Sequence, residues 1–300
     1  MAMNRASFAK LLEPGLNTLF GLEYDSYPSE YEAVFSSNTS QKAYEEDVLL
    51  AGFGAAPTKN EGASVSYDDA GQQWTARYQH ETVALAFSIT EEAEEDGQYG
   101  SIASRYTKAL ARSMSSTKEI KAANVLNNAT SANGGDGTTL LSTSHPTQNG
   151  NQSNTLATAA DLSETSLESI LIQIADMKDE RGLRVAAQGT QLIIPTAYTF
   201  VAERLLESQL RTGTADNDIN AIKSGGYLPK GYHVMRRLTD ADQFFVQTDV
   251  PDGLKYFTRS AMRKGMEGDF ETGNIRYKCR ERYSFGFTDW RGIFGSEGAA

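Results

Sequence analysis

The sequence predicts an α+β fold, and three observations support this prediction. Residues 97–128 repeat apolar and small side chains every three to four positions, which is typical of one long helix. After residue 160, helical and strand patterns interleave without the regular βαβ rhythm of a doubly wound parallel sheet. Residues 274–287 alternate between charged and aromatic side chains, as a strand with two different faces does.

The N-terminal residues 1–58 show no sustained period, although they are rich in aromatic side chains. Disordered segments are normally poor in such side chains, so disorder is the weaker interpretation. A segment with many rings and no face of its own is expected to bury them on another surface. We therefore predict an extended arm that lies on a neighbouring subunit, through Phe20, Tyr24, Tyr27, Tyr31, Phe35 and Tyr44.

Residues 63–89 alternate with a period of two on both sides of the tetrapeptide Asp-Asp-Ala-Gly at residues 68–71. Two alternating runs that flank such turn residues are typical of a β-hairpin. Since the flanking residues are polar and rich in glycine, the hairpin is expected to project from the body of the protein.

The remaining elements follow from caps, turns and short apolar runs. Residues 129–154 are rich in Gly, Ser, Thr and Asn and indicate a loop that separates two regions. Asp161 or Ser163 can cap a helix that ends at Gly182, and a further helix is predicted at Thr196–Leu210. Strands are predicted at Thr190–Pro195, His233–Leu238, Asp242–Asp249, Gly253–Arg259 and in the alternating C-terminal run.

The distribution of charge argues against a duplex-binding protein. The net charge is −11, and residues 1–100 alone carry 5 Lys and Arg against 17 Asp and Glu. The middle third has 8 of each kind, and the last third has 15 basic and 14 acidic residues. Proteins that bind duplex DNA ordinarily show clustered positive charge, because they displace counterions from phosphates.

Cysteine and hydropathy patterns exclude several further classes. The single cysteine, Cys279, rules out an intramolecular disulfide framework and any CxxC zinc site. The first apolar segment is interrupted by Glu13 and Pro14, which argues against a secretion signal. The longest apolar run, Leu49–Pro57, is far shorter than the ~20 residues that cross a bilayer, so no membrane partner is expected.

A search for catalytic and metal-binding patterns finds no complete motif. The sequence has no GxSxG, GxGxxG or Gly-Lys pattern. His80-Glu81 begins a zinc motif, but Ala84 occupies the position of the second histidine. Asp216, Asp218 and Asn220 resemble only the start of a calcium loop. We predict no catalytic, cofactor or metal site.

One enzymatic alternative remains, a hydrolase that would use Ser144 and His145. Adjacent side chains of an extended segment point in opposite directions, which argues against this pair.

The alternating C-terminal strand poses the main functional question. Arg276, Lys278, Arg280 and Arg282 share one face, whereas the opposite face carries Tyr277, Cys279, Tyr283, Phe285 and Phe287. Such a cationic face either binds nucleic acid or contacts carboxylates supplied by protein. The acidic cluster at residues 91–96 is one source of such carboxylates, and it also suits the positive end of the long helix.

The order of parts resembles the major capsid proteins of tailed bacteriophages with the Hong Kong 97 type fold. The resemblance depends on the succession of a predicted arm, hairpin and long helix, and then of short motifs. These motifs are LLSTSHP at residues 140–146, MKDERG at 177–182, NDINA at 217–221, YLP at 227–229 and YKCRERYSFGFTDWRGIFG at 277–295. Each motif is weakly specific, whereas their order and spacing are much more specific.

The resemblance implies a division of the chain into parts. Residues 1–58 would form the N-terminal arm, 59–96 the extended loop, and 97–159 the peripheral domain with its spine helix. Residues 160–270 would form the axial domain with a mixed sheet, and 271–300 the strand that returns to the peripheral domain. The implied function is a structural one, without enzymatic activity, in which pentamers and hexamers close an icosahedral head around double-stranded DNA.

The resemblance also implies partners and a location. The partners would be further copies of the chain, a scaffolding protein, the portal and decoration proteins, and DNA would be enclosed without sequence-specific binding. The protein would belong to the virion and would assemble in the host bacterial cytoplasm. An encapsulin-like compartment is the alternative that the same fold allows.

Two features depart from some members of this family. Between Asn60 and Thr107 the chain has no lysine, which argues against covalent cross-linking through the extended loop, although Lys59 lies at its base. The arm starts at the first methionine without a long scaffolding region, so a scaffold is expected to be a separate chain.

These features lead to a hypothesis about contacts between subunits. We expect the acidic first third of one copy, which includes Glu45, Glu46 and Asp47, to lie against cations of the next copy. The predicted contact residues are Arg276, Lys278, Arg280 and Arg282, facing Asp68, Asp69, Glu91, Glu92, Glu94 and Glu95.

Overall fold

The structure is a computed structural model that describes residues 5–90, 92, 99–211, 218–269 and 273–299. Its helices are α1 (Arg5–Asp25), α2 (Tyr99–Asn127), α3 (Glu164–Asp176), α4 (Thr199–Glu207) and α5 (Ala221–Gly225). Its first strands are β1 (Ser36–Thr39), β2 (Tyr44–Ala51), β3 (Gly71–Gln79), β4 (Glu81–Ile89), β5 (His145–Thr147) and β6 (Gly150–Gln152). The later strands are β7 (Gly189–Ile194), β8 (Tyr232–Val234), β9 (Phe244–Thr248), β10 (Leu254–Gly268), β11 (Ile275–Phe287) and β12 (Ile293–Ser296).

Four strands in the order β1-β10-β11-β4 form the sheet that we call the long sheet. β1 runs parallel to β10, and the other neighbours are antiparallel. α1 and α2 contact each other, and both contact strands of this sheet. Their apolar side chains pack on its inner face, where Leu16, Phe20, Leu110 and Met114 meet Tyr277.

The short sheet has the order β12-β9-β7-β8 and separates two hydrophobic cores. Leu192 and Ile194 of β7 pack with α3 and α4, whereas Ile193, between them, faces the end of α2. This alternation is the period of two that a strand buried on both faces requires. The core on the α2 side also contains Tyr256 and Tyr283 of the long sheet, so one core joins the two sheets.

The prediction of an extended N-terminal arm was wrong for residues 5–25, because these residues form α1. Phe20 is buried against α2 and the long sheet of its own chain, and Tyr31 and Phe35 are buried in the core that joins the sheets. Only Tyr27 and Tyr44 of the six predicted rings remain exposed. The rings of this segment therefore find most of their partners within one chain.

The prediction of a hairpin at residues 63–89 was also wrong in its pairing. The strands β3 and β4 exist, but β3 pairs with β2 and β4 pairs with β11. Residues 68–70 directly precede β3, which starts at Gly71, instead of forming a turn, and residues 52–70 connect β2 to β3. We call β2, β3 and this connection the ribbon.

Other elements confirm the sequence-based expectations. The long helix is α2, and Ser163 caps α3 by accepting a hydrogen bond from the Ser166 backbone N–H. α3 ends at Asp176 and not at Gly182, because the backbone of Met177 (φ −59°, ψ 142°) leaves the helical region. No helix within the described ranges is both long enough and apolar enough for a membrane span.

We predict that Phe20→Ala destabilises the single chain by about 3–5 kcal/mol, because it removes a buried ring from the core beneath α1. Leu22→Ala on the same helix is the matched control, since Leu22 is 69% exposed and its loss is expected to cost less than about 1 kcal/mol. Urea unfolding of the dissociated subunit measures both changes. Equal effects of the two substitutions would show that α1 does not pack on its own subunit.

Candidate functional site

The outer face of the long sheet carries the cations that the sequence placed there. Along β11, Arg276, Lys278 and Arg280 are exposed and Arg282 is half-buried. The residues between them are buried, including Tyr277, Cys279, Glu281 and Tyr283. The predicted alternation of the strand is therefore confirmed.

β10 adds two arginines that the sequence did not reveal. Arg263 lies directly opposite Arg280 in the β-sheet register, and like charges in this arrangement repel each other. Arg259 lies in an irregular stretch of β10, and its Nε atom, like that of Arg282, is buried without a hydrogen-bond partner among the described residues. The sequence predicted this strand only as far as Arg259, whereas β10 continues to Gly268, so Arg263 was not expected in the sheet.

Small residues border the cations and leave this face open. On β4, Thr82, Ala84, Ala86 and Ser88 lie opposite the four cations of β11, and on β10 Gly265 lies opposite Lys278. A hollow of about 510 Å³ opens beside Arg276 and Lys278. Short side chains allow another polypeptide to approach the sheet closely.

Few acidic side chains balance these cations within one chain. Asp269 forms an ion pair with Arg276 at 2.5 Å. Among the residues that the structure describes, no acidic side chain forms an ion pair with Arg263, Lys278 or Arg280. We call the surface formed by Arg259, Arg263, Arg276, Lys278, Arg280 and Arg282 the cationic face.

The root of the ribbon covers one end of the outer face. Tyr78 packs on Phe257, and the ring comes so close to Gly286 that a Cβ atom there would lie 2.8 Å from it. His80 contacts the hydroxyl oxygens of Ser284 at 2.9 Å and Ser40 at 2.8 Å. Burial lowers the pKa of His80, so the ring is neutral at pH 7 and serves as a structural hydrogen-bonding group.

Most of the predicted acidic contact residues on the ribbon have partners in their own chain. Glu46 lies 3.8 Å from Arg77, and Asp47 forms a 2.6 Å ion pair with Lys255. The hydrogen bond from the Ser40 hydroxyl, followed by the charge of Lys42, lowers the pKa of Glu45.

Asp68 also has a partner in its own chain. It accepts two hydrogen bonds from Arg181, at 2.7 and 2.9 Å. A hydrogen bond from the Gly54 backbone N–H and this arginine hold the pKa of Asp68 below its usual value. Asp69 and Glu92 are exposed, whereas Glu91, Glu94 and Glu95 lie outside the described residues. Asp269 and Glu267 lie beside Arg276, but the acids that the sequence predicted as contact residues do not pair with the cationic face of their own chain within the described residues.

The ribbon exposes several apolar side chains among polar ones. Tyr44, Glu46, Val48 and Leu50 are exposed and alternate with Glu45, Asp47 and Leu49, and Leu50 is 68% exposed. The guanidinium of Arg77 lies over the Tyr44 ring, 3.9 Å from its centre. The connection adds exposed Phe53, Val65 and Tyr67. Sequence reasoning emphasised the acids of this segment and missed its exposed apolar side chains.

The inner face of the long sheet contains a buried ion pair that sequence reasoning also missed. Lys118 Nζ lies 3.2 Å from Glu281 Oε2, and the Tyr24 hydroxyl donates a hydrogen bond to the same carboxylate. The amine lies between 5.2 and 5.5 Å from the ring centres of Tyr31, Tyr256 and Tyr283. Glu281 is two or four residues from Tyr277, Cys279 and Tyr283, so the alternation of β11 places it on the same buried face. This spacing is the feature of the sequence from which a buried carboxylate could have been predicted.

The surroundings explain the charge state of this pair. Burial alone would lower the pKa of Lys118, but the nearby Glu281 carboxylate and the tyrosines outweigh burial and raise it. The same environment makes the neighbouring thiol unreactive, because burial raises the pKa of Cys279 to about 12.

His145 has a structural environment instead of a catalytic one. Its Nδ1 atom lies 2.6 Å from Asp136 Oδ2, its Nε2 atom lies 3.2 Å from Asn154 Oδ1, and its ring stacks on Trp290 at 4.2 Å. Burial would raise the pKa of Asp136, but hydrogen bonds from His145 and Thr138 outweigh burial and lower it. Both ring nitrogens are engaged in the core, so His145 is not placed to activate the exposed Ser144.

The described residues contain no group of three or more His, Cys, Asp or Glu side chains that could hold a metal ion. Asn220, considered above as part of a calcium loop, instead accepts hydrogen bonds from the backbone N–H groups of Ile222 and Lys223 and caps α5.

Comparisons with known proteins agree with this architecture. A family model described as phage capsid protein matches residues 72–295, which is well over half of the chain. No curated relative matches the sequence.

Solved structures share the fold at low sequence identity. A chain of Mycobacterium phage Adephagia is 10% identical with a TM-score of 0.56, and 91% of each chain is covered. A virus-like particle from Pyrococcus furiosus is 11% identical with a TM-score of 0.54, covering 94% of this chain and 98% of that chain. The capsid of a native GTA particle is 12% identical with a TM-score of 0.53, covering 91% and 90%.

We predict that Lys118→Met destabilises the subunit by about 3–5 kcal/mol, because the Glu281 carboxylate stays buried without its cation. The double variant Lys118→Met/Glu281→Met removes both charges and is expected to recover most of this loss. Lys121→Met is the matched control one turn away, since its ion pair with Glu81 is partly exposed and is worth less than about 1 kcal/mol. Urea unfolding measures the free energy of unfolding of each variant in this double-mutant cycle. If the destabilisation in the double variant equals the sum of the two single destabilisations, the two residues do not form a coupled pair.

Proposed function

Since this chain belongs to the phage capsid protein family and has the Hong Kong 97 type fold, we propose that its copies form pentamers and hexamers of an icosahedral shell around double-stranded DNA. The chain is a structural capsid protein and a part of the virion. The proposed role involves no catalysed reaction, no cofactor and no membrane.

The cationic face is the observation that carries this proposal. Arg263 and Arg280 lie opposite each other, and the Nε atoms of Arg259 and Arg282 lack partners within the described residues. Such an arrangement is costly in an isolated chain, because like charges repel and buried donors lose their hydrogen bonds with water. Carboxylates from an adjacent copy would relieve both costs.

The ribbon is the element best suited to reach an adjacent copy. It exposes the apolar side chains of Tyr44, Val48 and Leu50, and these would gain most from burial. Exposed ion pairs contribute only ~0.2–1 kcal/mol each. We therefore propose that the burial of apolar side chains holds adjacent copies together. Contacts between carboxylates and the cationic face would fix how the two copies are aligned.

The residue assignments for this contact remain proposals. Arg276, Lys278, Arg280 and Arg282 would meet carboxylates of an adjacent copy, for which Asp69 and Glu92 are the exposed candidates within the described residues. Glu91, Glu94 and Glu95 would extend the same acidic segment. Asp68 would first have to leave Arg181 of its own chain.

The division into parts is also proposed from the family. Residues 1–58 would be the arm, 59–96 the extended loop, 97–159 and 271–300 the peripheral domain, and 160–270 the axial domain. A separate scaffolding protein, a portal and decoration proteins would complete assembly in the bacterial cytoplasm. By analogy with the family, DNA would be enclosed without sequence-specific contacts, and the net charge of −11 would also weaken electrostatic attraction to its phosphates.

An encapsulin-like compartment is the second candidate. The Pyrococcus furiosus virus-like particle, whose chain is covered over 98% of its length, favours this alternative. The content of purified particles distinguishes the two functions. Packaged double-stranded DNA would support a phage head, whereas a co-purified cargo enzyme in particles without DNA would support a compartment.

We predict that Arg280→Glu together with Arg282→Glu prevents normal shell assembly, because the reversed charges repel the carboxylates of the adjacent copy. Arg105→Glu with Lys108→Glu is the matched control, since these cations are exposed on α2, away from the cationic face. Electron microscopy of the purified proteins at low and high salt measures the outcome. Normal shells with unchanged salt sensitivity in the first variant would contradict the proposed contact.

A further inference from the structure

The region around the short sheet carries an apolar groove that no side chain of the described part of the chain fills. The groove lies between α3 and α5, has a volume of about 370 Å³, and is lined by Leu171, Ile172, Ala175, Ile222 and Tyr227. Glu168 completes the lining, one helical turn before Ile172. The groove therefore combines an apolar floor with one carboxylate.

The position of Ile172 shows that packing within the chain does not require it. α3 buries Leu167, Ile170 and Ile174 against the short sheet, whereas Ile172 points away and is 63% exposed. The other wall is the Tyr227 ring, which lies so close to Gly225 that a Cβ atom there would be 2.3 Å from it. Glycine at this position allows the ring to form a wall of the groove.

An apolar side chain protrudes elsewhere in the same region. Phe200, near the start of α4, is 78% exposed, although the core uses Ala202 and Leu206 of that helix. Arg204 follows one turn later on the same side and is also exposed. Within the described residues, neither Arg204 nor Glu168 forms an ion pair. We call Phe200 and Arg204 the knob.

Phe200 of the knob lies away from the groove of its own chain. The Asn220 side chain, which caps α5, donates hydrogen bonds to the carbonyl oxygens of Leu205 and Ser208 at the C-terminal end of α4. The groove therefore lies beside that end, whereas Phe200 lies near the opposite end. Five to eight helical residues separate them, which corresponds to roughly 8–12 Å.

We propose that the knob of one copy enters the groove of the next copy. Phe200 would fill the apolar groove beside Ile172, and the Arg204 guanidinium would pair with the Glu168 carboxylate. In both pairs the apolar and the charged residue are one turn apart, but in opposite chain order, so α4 and α3 would cross antiparallel. This inference rests on the proposed assembly and names the residues of one of its contacts.

The geometry of this contact favours a ring. The surfaces are different and lie on the same chain, so each copy offers a knob to one neighbour and a groove to the other. Such heterologous contacts form closed rings when the rotation closes. A ring of five or six copies is the unit that the proposed shell requires.

Two single variants and their mixture test the head-to-tail arrangement. Phe200→Ser and Ile172→Asp are each expected to raise the concentration for half-maximal ring formation by roughly tenfold or more, because each removes a central apolar contact. In an equimolar mixture, each pair keeps one intact contact, so the mixture should form dimers and no rings. Sedimentation velocity measures these species, and thermal unfolding checks that both variants are folded.

Exchanging the charges of Arg204 and Glu168 tests the proposed ion pair between copies without changing any side chain of the hydrophobic core. Arg204→Glu alone and Glu168→Arg alone should weaken ring formation, and the double variant should restore it, because the opposite charges meet again. Rings of normal stability in all variants, or failure of the double variant to recover, would overturn the knob-and-groove contact. A wild-type chain that never assembles would instead overturn the proposed function, so the two failures are distinguishable.

Discussion

The two-sided character of β11 is the constraint on which the rest of the structure depends. Its inward side chains must be apolar or paired, because α1 and α2 cover that face of the long sheet. A period of two then forces the intervening residues outward, where Arg276, Lys278, Arg280 and Arg282 lie. Moving the strand by one residue would bury these cations, so the register is fixed strongly.

Buried polar contacts link the parts of the chain that are distant in sequence. Lys118 of α2 holds Glu281 of β11, and Arg291 holds Glu180 at 2.5 Å beside Asp289. Removing one partner from such a contact would leave an uncompensated buried charge. Together with the buried rings of Phe20, Tyr31 and Phe35, these contacts make the subunit body self-sufficient. In the assembly that we propose, contacts with other copies would involve the ribbon, the cationic face and the groove.

Local patterns made part of this structure predictable. α2, the Ser163 cap of α3 and the alternation of β11 follow from spacing along the chain, and the structure confirms all three. The class of fold also followed from these elements and from the order of short motifs. Four residues of the candidate site, Arg276 to Arg282, were recognisable because one regular strand carries them.

Features that depend on distant pairing could not be predicted in the same way. β2 pairs with β3 across residues 52–70, and nothing in the local pattern prefers this partner to β4. The helix α1 is stabilised by contacts with α2 and β10, which its own sequence does not show. Arg263 reaches the cationic face because β10 continues past Arg259, where the predicted strand ended, and pairs with β11 as far as Gly268. These are tertiary effects that override local preference.

The accessibility of Lys278 tests most directly whether another copy covers the cationic face. Amine-reactive labelling followed by mass spectrometry can compare this lysine in assembled particles and in dissociated subunits. Coverage by an adjacent copy predicts strong labelling of the dissociated subunit and marked protection in the particle. Equal labelling in both states would show that the cationic face stays open to solvent and would contradict its role in assembly.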